Sequence, residues 1–493
     1  MSSILLTLQD KLQDPAIPWQ KVLLGAVVAV AFFEQFVDSR QKPYLNPILH
    51  PQLPAALRPY LTSENTHETY TKSQAYARHK LTFSSITTLI EVVETYVLLT
   101  SISAPLFKVL FPSLAAEASA SEWTLLKGFW DLAAELPGGT GGEIRQSVAF
   151  AGLLTAIGAV MGVPVALYKN FVLEEKHGFN KMTYGLYVKD WIKNLGISLA
   201  LELPLLAGLV KIIHYAGQDA ILQIVTWTIV FIACVQVLMV FIFPAVIQPM
   251  FNTFTLLPED SPVFPRVKAL AEKLNFPLGK VWVINGSLRS SHSNAYFYGL
   301  PGFNKNIVIY DTLLEKSTPE EVEAILAHEL GHWAGLHTPV LLVTALTQVA
   351  FSLTIYTIFL SNSSFLSSFG FSSSSLSQKL YHSLASSSSS TSSTGPTIVA
   401  LLLASTLFSP LSALMRFGTN AITRHLEYDA DAFAVKLGEE YAKNLKGALV
   451  GIHEKNLAVY GIDPVYSAYN NSHPTLLERL QALDAKIDSK KNE

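Results

Sequence analysis

Charged residues are scarce in this chain of 493 residues, since only 15% of them are Asp, Glu, Lys or Arg. Soluble domains usually carry about 25%. Half of the residues are hydrophobic and the mean hydropathy is +0.32, which excludes an ordinary soluble protein and indicates an integral membrane protein. The formal net charge of −3 provides no overall basic field, so nothing in the composition favours nucleic-acid binding.

Cysteine is almost absent as well. Cys234 is the single cysteine and lies in an apolar run, which excludes an intrachain disulfide and a cysteine-rich metal site. The first residues lack the basic segment, apolar core and cleavage site of a signal peptide, so we expect the N-terminus to be retained.

Long apolar runs are what the sequence does contain. About 20 apolar residues cross a bilayer as a helix. The runs predict seven spans, near residues 22–37, 81–110, 148–168, 195–213, 220–246, 339–360 and 397–415. Glu91, Glu94 and Glu202 fall inside these runs, where an ionised group facing lipid costs about 3 kcal/mol or more. We therefore expect these acids to face protein or water.

The distribution of lysine and arginine between the loops predicts how the chain is oriented in the membrane. Residues 38–80 carry six of them and residues 169–193 carry five, whereas the alternate loops are poor in them. Because cytosolic loops are enriched in these residues, the N-terminus is expected to be lumenal and the C-terminus cytosolic. The predicted domains are 1–246 with five spans, 247–338 and 416–493 as two cytosolic parts of a catalytic domain, and 339–415 with the last two spans. Residues 361–395 connect the last two spans. Of these 35 residues 18 are serine, which predicts a disordered lumenal loop.

The segment "STPEEVEAILAHELGHW" predicts a helix that carries a metal-binding motif. Thr318 can cap this helix, with Glu321 completing a capping box. His328 and His332 are four residues apart and share a helix face, as two zinc ligands require. Glu329 is placed to take a proton from a zinc-bound water. Gly331 would allow another helix to approach closely.

A catalytic zinc site needs a third protein ligand. A third histidine at the HExxHxxGxxH spacing is excluded because Thr338 holds that position, and His337, one residue early, is expected to point away. No Asp or Glu occurs from 333 to 426, so the first acid, Glu427, is the predicted ligand. Asp431, one turn further on the same face, is the predicted acceptor for a ligating histidine N–H, while Asp429 lies off that face.

The region before the motif predicts a helix at 262–274 and strands at 280–286 and 305–311. The segment "SNAYFYG" alternates and is rich in aromatic residues, which indicates an edge strand able to pair with an extended peptide. Residues 416–493 predict two or three amphipathic helices.

Four motifs, "AHELGHW", "RHLEYDADAFA", "RSSHSNAYFYG" and "NNSHPTLLERLQAL", together resemble the zinc-dependent type 1 CAAX prenyl proteases of the endoplasmic reticulum, and the resemblance covers the whole chain. It implies a mostly α fold with seven transmembrane helices in a ring around an internal chamber, plus a split cytosolic metalloprotease domain with a small β element. It also implies one Zn²⁺ on His328, His332 and Glu427, with Glu329 as general base.

The resemblance assigns further roles by motif. Asn294 would hold the substrate backbone, and Tyr296 and Tyr298 of the same strand would contact substrate. His473 would stabilise the oxyanion during attack. Arg479 would brace the site through an ion pair.

The implied reaction is removal of the last three residues of a prenylated CAAX protein, with hydroxide generated by zinc and Glu329 attacking the prenyl-cysteine carbonyl. A second, upstream cleavage stays open. The prenyl group would lie in the apolar part of the protein, and no obligate protein partner is evident. The final residues 490–493, Lys-Lys-Asn-Glu, resemble an endoplasmic reticulum retrieval signal.

Two other functions stay open from the residues. A membrane-protein quality-control metalloprotease would use the same chemistry on unprenylated substrates. In a seven-helix channel or transporter, the acids within the spans would line the transport path. The HExxH motif would then have a structural role.

Overall fold

The computed structural model describes residues 7, 11–61, 66–110, 112, 123–137, 139, 142–216, 220–299, 302–371 and 396–491. Most of these residues are helical, and the helices in chain order are α1 (Trp19–Gln41), α2 (Thr66–Leu99), α3 (Ala104–Leu110), α4 (Leu125–Glu135), α5 (Glu143–Met161), α6 (Val163–Tyr168), α7 (Tyr184–Ala216), α8 (Ile221–Ile242), α9 (Gln248–Phe251), α10 (Phe264–Lys273), α11 (Asp311–Lys316), α12 (Pro319–Ala334), α13 (His337–Tyr356), α14 (Ser363–Ser367), α15 (Thr397–Leu407), α16 (Ser409–Leu437), α17 (Glu439–Lys455), α18 (Pro464–Asn470) and α19 (Leu476–Lys491). Four strands complete the list: β1 (Phe254–Leu256), β2 (Leu278–Ile284), β3 (Ala295–Tyr298) and β4 (Lys305–Tyr310).

The described residues contain six helices that are long and apolar enough to cross a membrane. A seventh span arises if α15 and α16 count as one, although they meet at an angle of 64°. Pro410 in the first turn of α16 lacks an N–H and so cannot continue the hydrogen bonds of α15. The prediction of seven spans therefore agrees with six candidate spans and one bent pair.

The second span differs from its expected position. The predicted run was 81–110, whereas α2 begins at Thr66, ends at Leu99 and is separated from α3 by a short 3₁₀ turn at Ser101–Ser103. The first turns of α2 carry polar side chains, which a search for apolar runs leaves out.

The serine-rich segment is folded over its first part, so the expectation of disorder is wrong for residues 361–371. Asn362 caps α14 by accepting a hydrogen bond from the Phe365 N–H at 2.8 Å. Phe365 and Phe369 are fully buried against Trp19 and neighbouring apolar side chains. The aromatic residues spaced among these serines bury enough apolar surface to order them. Residues 372–395 lie outside the described part of the chain.

The strands form one small sheet in the order β1-β2-β4-β3. β2 and β4 are parallel, while β1 and β3 pair antiparallel to their neighbours. β2 and β4 correspond to the two predicted strands, and β3 is the edge strand expected in "SNAYFYG". Ala295, Ile307 and Ile309 point into the core beneath the sheet, which also contains the apolar side of α12.

The helix α12 packs closely on α16. A Cβ added at Gly331 would lie 3.0 Å from the Ala430 Cα and 3.1 Å from the Phe433 Cβ, so the glycine permits this approach as predicted. α19 packs against both α16 and α17 and buries Leu480 and Leu483. Elements that are far apart in the sequence thus meet at one place beside the sheet.

Candidate metal centre

The helix α12 begins where the sequence predicts. Thr318 accepts a hydrogen bond from the Glu321 N–H at 3.2 Å, and the Glu321 carboxylate accepts one from the Thr318 N–H at 2.9 Å. This reciprocal capping box satisfies two backbone donors that a helix start leaves free. The helix then runs without interruption to Ala334 and presents His328 and His332 on one face.

Three predicted ligands converge between α12 and α16. One donor atom from each of His328, His332 and Glu427 lies within 4.8 Å of the other two. The His332 Nε2 is 3.3 Å from the Glu427 Oε1, and the His328 Nε2 is 3.5 Å from the Glu427 Oε2. That Oε2 is buried and has no hydrogen-bond partner. A buried carboxylate oxygen facing imidazole nitrogens fits a cation, and two histidines with one glutamate are a donor set that catalytic Zn²⁺ accepts.

Asp431 and Arg479 support His328 from behind. The Asp431 Oδ1 is 2.9 Å from the His328 Nδ1, and Arg479 donates to both Asp431 oxygens at 2.6 and 2.9 Å. A histidine that donates its Nδ1–H in this way presents Nε2 to the metal. Burial disfavours the charged imidazolium, but the hydrogen bond to Asp431 and the nearby Glu427 carboxylate outweigh it and raise the pKa of His328 to about 9.

The expected orientation of His337, pointing away from the motif, is wrong. Its Nδ1 lies 2.7 Å from the Nδ1 of His332, and its side chain is buried. His337 thus contacts the His332 nitrogen that faces away from Glu427. Asp431 contacts the corresponding nitrogen of His328.

The backbone between α12 and α13 explains this contact. α12 ends at Ala334, and Leu336 takes a left-handed conformation with φ 54°, which is rare for a residue with a branched side chain. α13 then starts at His337 in a new direction. A Cβ at Gly335 would lie 2.2 Å from the His337 Nε2, so Gly335 makes room for the ring. The expectation failed because it extended α12 beyond its end; the glycine two residues before His337 was the signal available in the sequence.

Glu329 follows the first ligand on α12 and is largely buried. Burial raises the pKa of Glu329 above its ordinary value, although the neighbouring His328 and His332 oppose the shift. A carboxylate with a raised pKa is better suited to accept a proton near neutral pH.

His473 approaches the metal group from a third element, the loop before α19. Its Nε2 is 3.3 Å from the Glu427 Oε1, while its Nδ1 lies 3.0 Å from the Ser472 hydroxyl. The side chain is 62% exposed, so it borders the group on the open side.

The predicted substrate residues lie on β3 or directly before it, and not in the metal group. Asn294 precedes the strand, and its carbonyl accepts a hydrogen bond from the Tyr310 N–H at 3.1 Å. Since side chains alternate along a strand and Ala295 faces the core, Tyr296 and Tyr298 lie on the opposite sheet face. Tyr296 accepts a hydrogen bond from Gln248, and burial raises the pKa of Tyr296 to about 12.

Comparisons with known proteins cover nearly the whole chain. Residues 48–253 match the family model described as CAAX prenyl protease N-terminal, five membrane helices, and residues 260–487 match peptidase family M48. The chain is 35% identical to CAAX prenyl protease 1 of Saccharomyces cerevisiae, over 98% of this chain and 99% of that protein. It is 34% identical to the CAAX prenyl protease 1 homologue of Arabidopsis thaliana, over 95% and 98%. The crystal structure of S. mikatae Ste24p superposes with a TM-score of 0.81 at 35% identity, covering 95% of this chain and all of that one.

Proposed function

Because this chain belongs to the CAAX prenyl protease 1 family of M48 metalloproteases, we propose that it is a zinc endopeptidase that removes the last three residues of prenylated CAAX proteins. The observation that carries the proposal is the convergence of His328, His332 and Glu427 next to Glu329. Zn²⁺ bound by these ligands would polarise the scissile carbonyl and acidify a water molecule.

The residues around the group then divide the remaining tasks. Glu329 removes the proton from the attacking water and passes it to the leaving amine. His473, on the open side of Glu427, donates a hydrogen bond to the oxygen that becomes negative during attack. Asp431 and Arg479 keep His328 in its ligating orientation.

The edge strand β3 supports the assignment of a peptide substrate. β3 pairs only with β4 among the described strands, so its other edge can pair with an extended chain. Asn294 at its start would hold the substrate backbone, and Tyr296 and Tyr298 would shape the sheet face beside it.

A groove between α13 and α16 provides space for the prenyl group. Its volume is about 550 Å³, within the range of small-molecule sites, and its walls include Val349, Leu353 and Met415. Asn420 also lines it and lies two turns before Glu427 on α16, a distance of about 10 Å. A prenyl chain on the cysteine at the metal group would therefore reach this groove.

The groove can be tested by filling it. We expect Ala345→Trp to lower cleavage of a farnesylated peptide without changing zinc content, whereas Val343→Trp, on an exposed part of α13, should have little effect. Equal rates for both variants and the unchanged protein would place the prenyl chain elsewhere.

The chain is a multi-pass membrane protein with several apolar helices. We propose that it lies in the endoplasmic reticulum membrane with a lumenal N-terminus and a cytosolic C-terminus, as the loop charges indicate. Lys490 of the resembled retrieval signal belongs to α19 and donates to the carbonyls of Val435 and Lys436 at 3.2 and 3.3 Å, so its ammonium group is bound within the protein.

The substrate class is tested by comparing a farnesylated CAAX peptide with its unprenylated twin. We expect the farnesylated peptide to be cleaved faster and to release a tripeptide. Equal rates would favour the quality-control alternative, and products from a second position would establish the upstream cleavage.

A further inference from the structure

A second cavity adjoins the metal centre on the side of His473. It has a volume of about 520 Å³ and lies between α2 and the segment that joins α18 to α19. His473 lines it, and the Nε2 of this residue is 3.3 Å from the Glu427 Oε1. His473 therefore borders both the cavity and the metal group.

The described side chains that line this cavity include a positive charge and no negative charge. Among the described residues that line it, Lys80 is the one lysine or arginine, and none is Asp or Glu. The Lys80 ammonium lies 4.4 Å from the centre of the Tyr76 ring, and its side chain is accessible. Glu174 acts on Lys80 electrostatically, but it is hydrogen-bonded by the Tyr76 hydroxyl at 2.9 Å and does not line the cavity. The cavity thus offers a cation to an anionic ligand.

Lys80 lies on α2 at the end of its polar first turns, before the apolar run that begins at residue 81. It is therefore expected on the cytosolic side of the membrane, where the metal-binding motif is also expected. Polar side chains from the opposite wall, Asn470, Asn471 and Thr475, can bind a peptide backbone.

The reaction proposed above creates a matching ligand. The segment that leaves has three residues, is about 10 Å long when extended and carries a free α-carboxylate. We propose that this cavity binds the three residues beyond the scissile bond and that Lys80 pairs with their terminal carboxylate. The inference rests on the proposed function and adds to it a reason for the length of the product, since Lys80 holds the end of the chain while the metal group cuts.

The test compares two farnesylated CAAX peptides that differ only in a C-terminal carboxylate or amide. The unchanged protein should cleave the acid about ten- to a hundredfold more efficiently in kcat/KM, as expected for a hydrogen-bonded charge pair. Lys80→Met should cleave the acid as slowly as the amide, while Lys80→Arg should keep part of the preference. Lys72→Met is the matched control, because Lys72 is exposed on the same helix and pairs with Glu68 at 2.6 Å.

The acid-to-amide ratio is measured within one preparation, so a fraction of unfolded protein cancels. An unchanged protein that cleaves both peptides equally would overturn the inference, as would a Lys80→Met variant that keeps the full ratio. An unchanged protein that cleaves neither peptide would instead contradict the proposed function itself.

Discussion

The metal group and the cavity beside it share His473 but differ in the burial of their polar side chains. Glu427 and Asp431 are 4% and 2% exposed, and each has charged or imidazole partners on other elements. Lys80 and Asn470 in the cavity are exposed. The difference indicates that the reacting geometry is set before substrate arrives, whereas the binding surface stays open to receive it.

Removing the ligand that joins the two helices should have the largest effect. We expect Glu427→Ala to lose zinc and all measurable peptidase activity, since two histidines alone bind zinc weakly. Metal analysis of the purified variant measures this. Asp429→Ala is the control, because Asp429 is on the same helix with a side chain 55% exposed. A Glu427→Ala variant with full zinc would contradict the ligand assignment.

Changing the base separates chemistry from metal binding. Glu329→Gln should retain zinc, because Glu329 is not part of the ligand group, and should lower kcat by about 10²- to 10⁴-fold. Single-turnover kinetics on a farnesylated peptide would show it. Activity close to that of the unchanged protein would exclude Glu329 as the base.

His473 lies between the metal group and the cavity, so substituting it shows whether it acts in catalysis or in substrate binding. His473→Ala should lower kcat by about 10²- to 10³-fold with zinc content unchanged, as for loss of one oxyanion donor. An increase in KM alone would assign His473 to substrate binding in the cavity instead.

Loosening the support of the metal group should have a smaller effect. Asp431→Asn removes the charge that pairs with Arg479 and should weaken zinc affinity about ten- to a hundredfold. Competition with a chelator of known affinity measures the change. Unaltered affinity would show that the ligands need no support from Arg479 and Asp431.

The smallest effect is expected on the sheet face away from the metal. Tyr296→Phe removes the hydroxyl that contacts Gln248 and should change kcat/KM by less than about tenfold, since a neutral hydrogen bond contributes about 1 kcal/mol. A loss as large as that of His473→Ala would mean that Tyr296 takes part in catalysis.

The metal group and the cavity beside it also differ in how far the sequence predicts them. The capping box at Thr318, the histidine pair and Glu427 follow from spacing within helices and from the absence of acids between 333 and 426. Such local rules do not describe chain reversals, so His337, placed by the left-handed Leu336, was assigned wrongly.

The cavity depends on tertiary packing, which spacing alone does not reveal. Lys80 and His473 are almost 400 residues apart in the sequence and line one space only because α2 packs beside the segment before α19. The start of α2 was also misplaced, since its polar first turns hide it from a search for apolar runs. The ring and internal chamber implied by the resemblance stay predictions.

The most direct test combines metal content with cleavage of a farnesylated CAAX peptide by the purified full chain. We expect one zinc per chain, release of the C-terminal tripeptide, loss of activity on chelation and recovery when zinc is restored. Tripeptide release that persists after the metal has been removed would contradict this expectation.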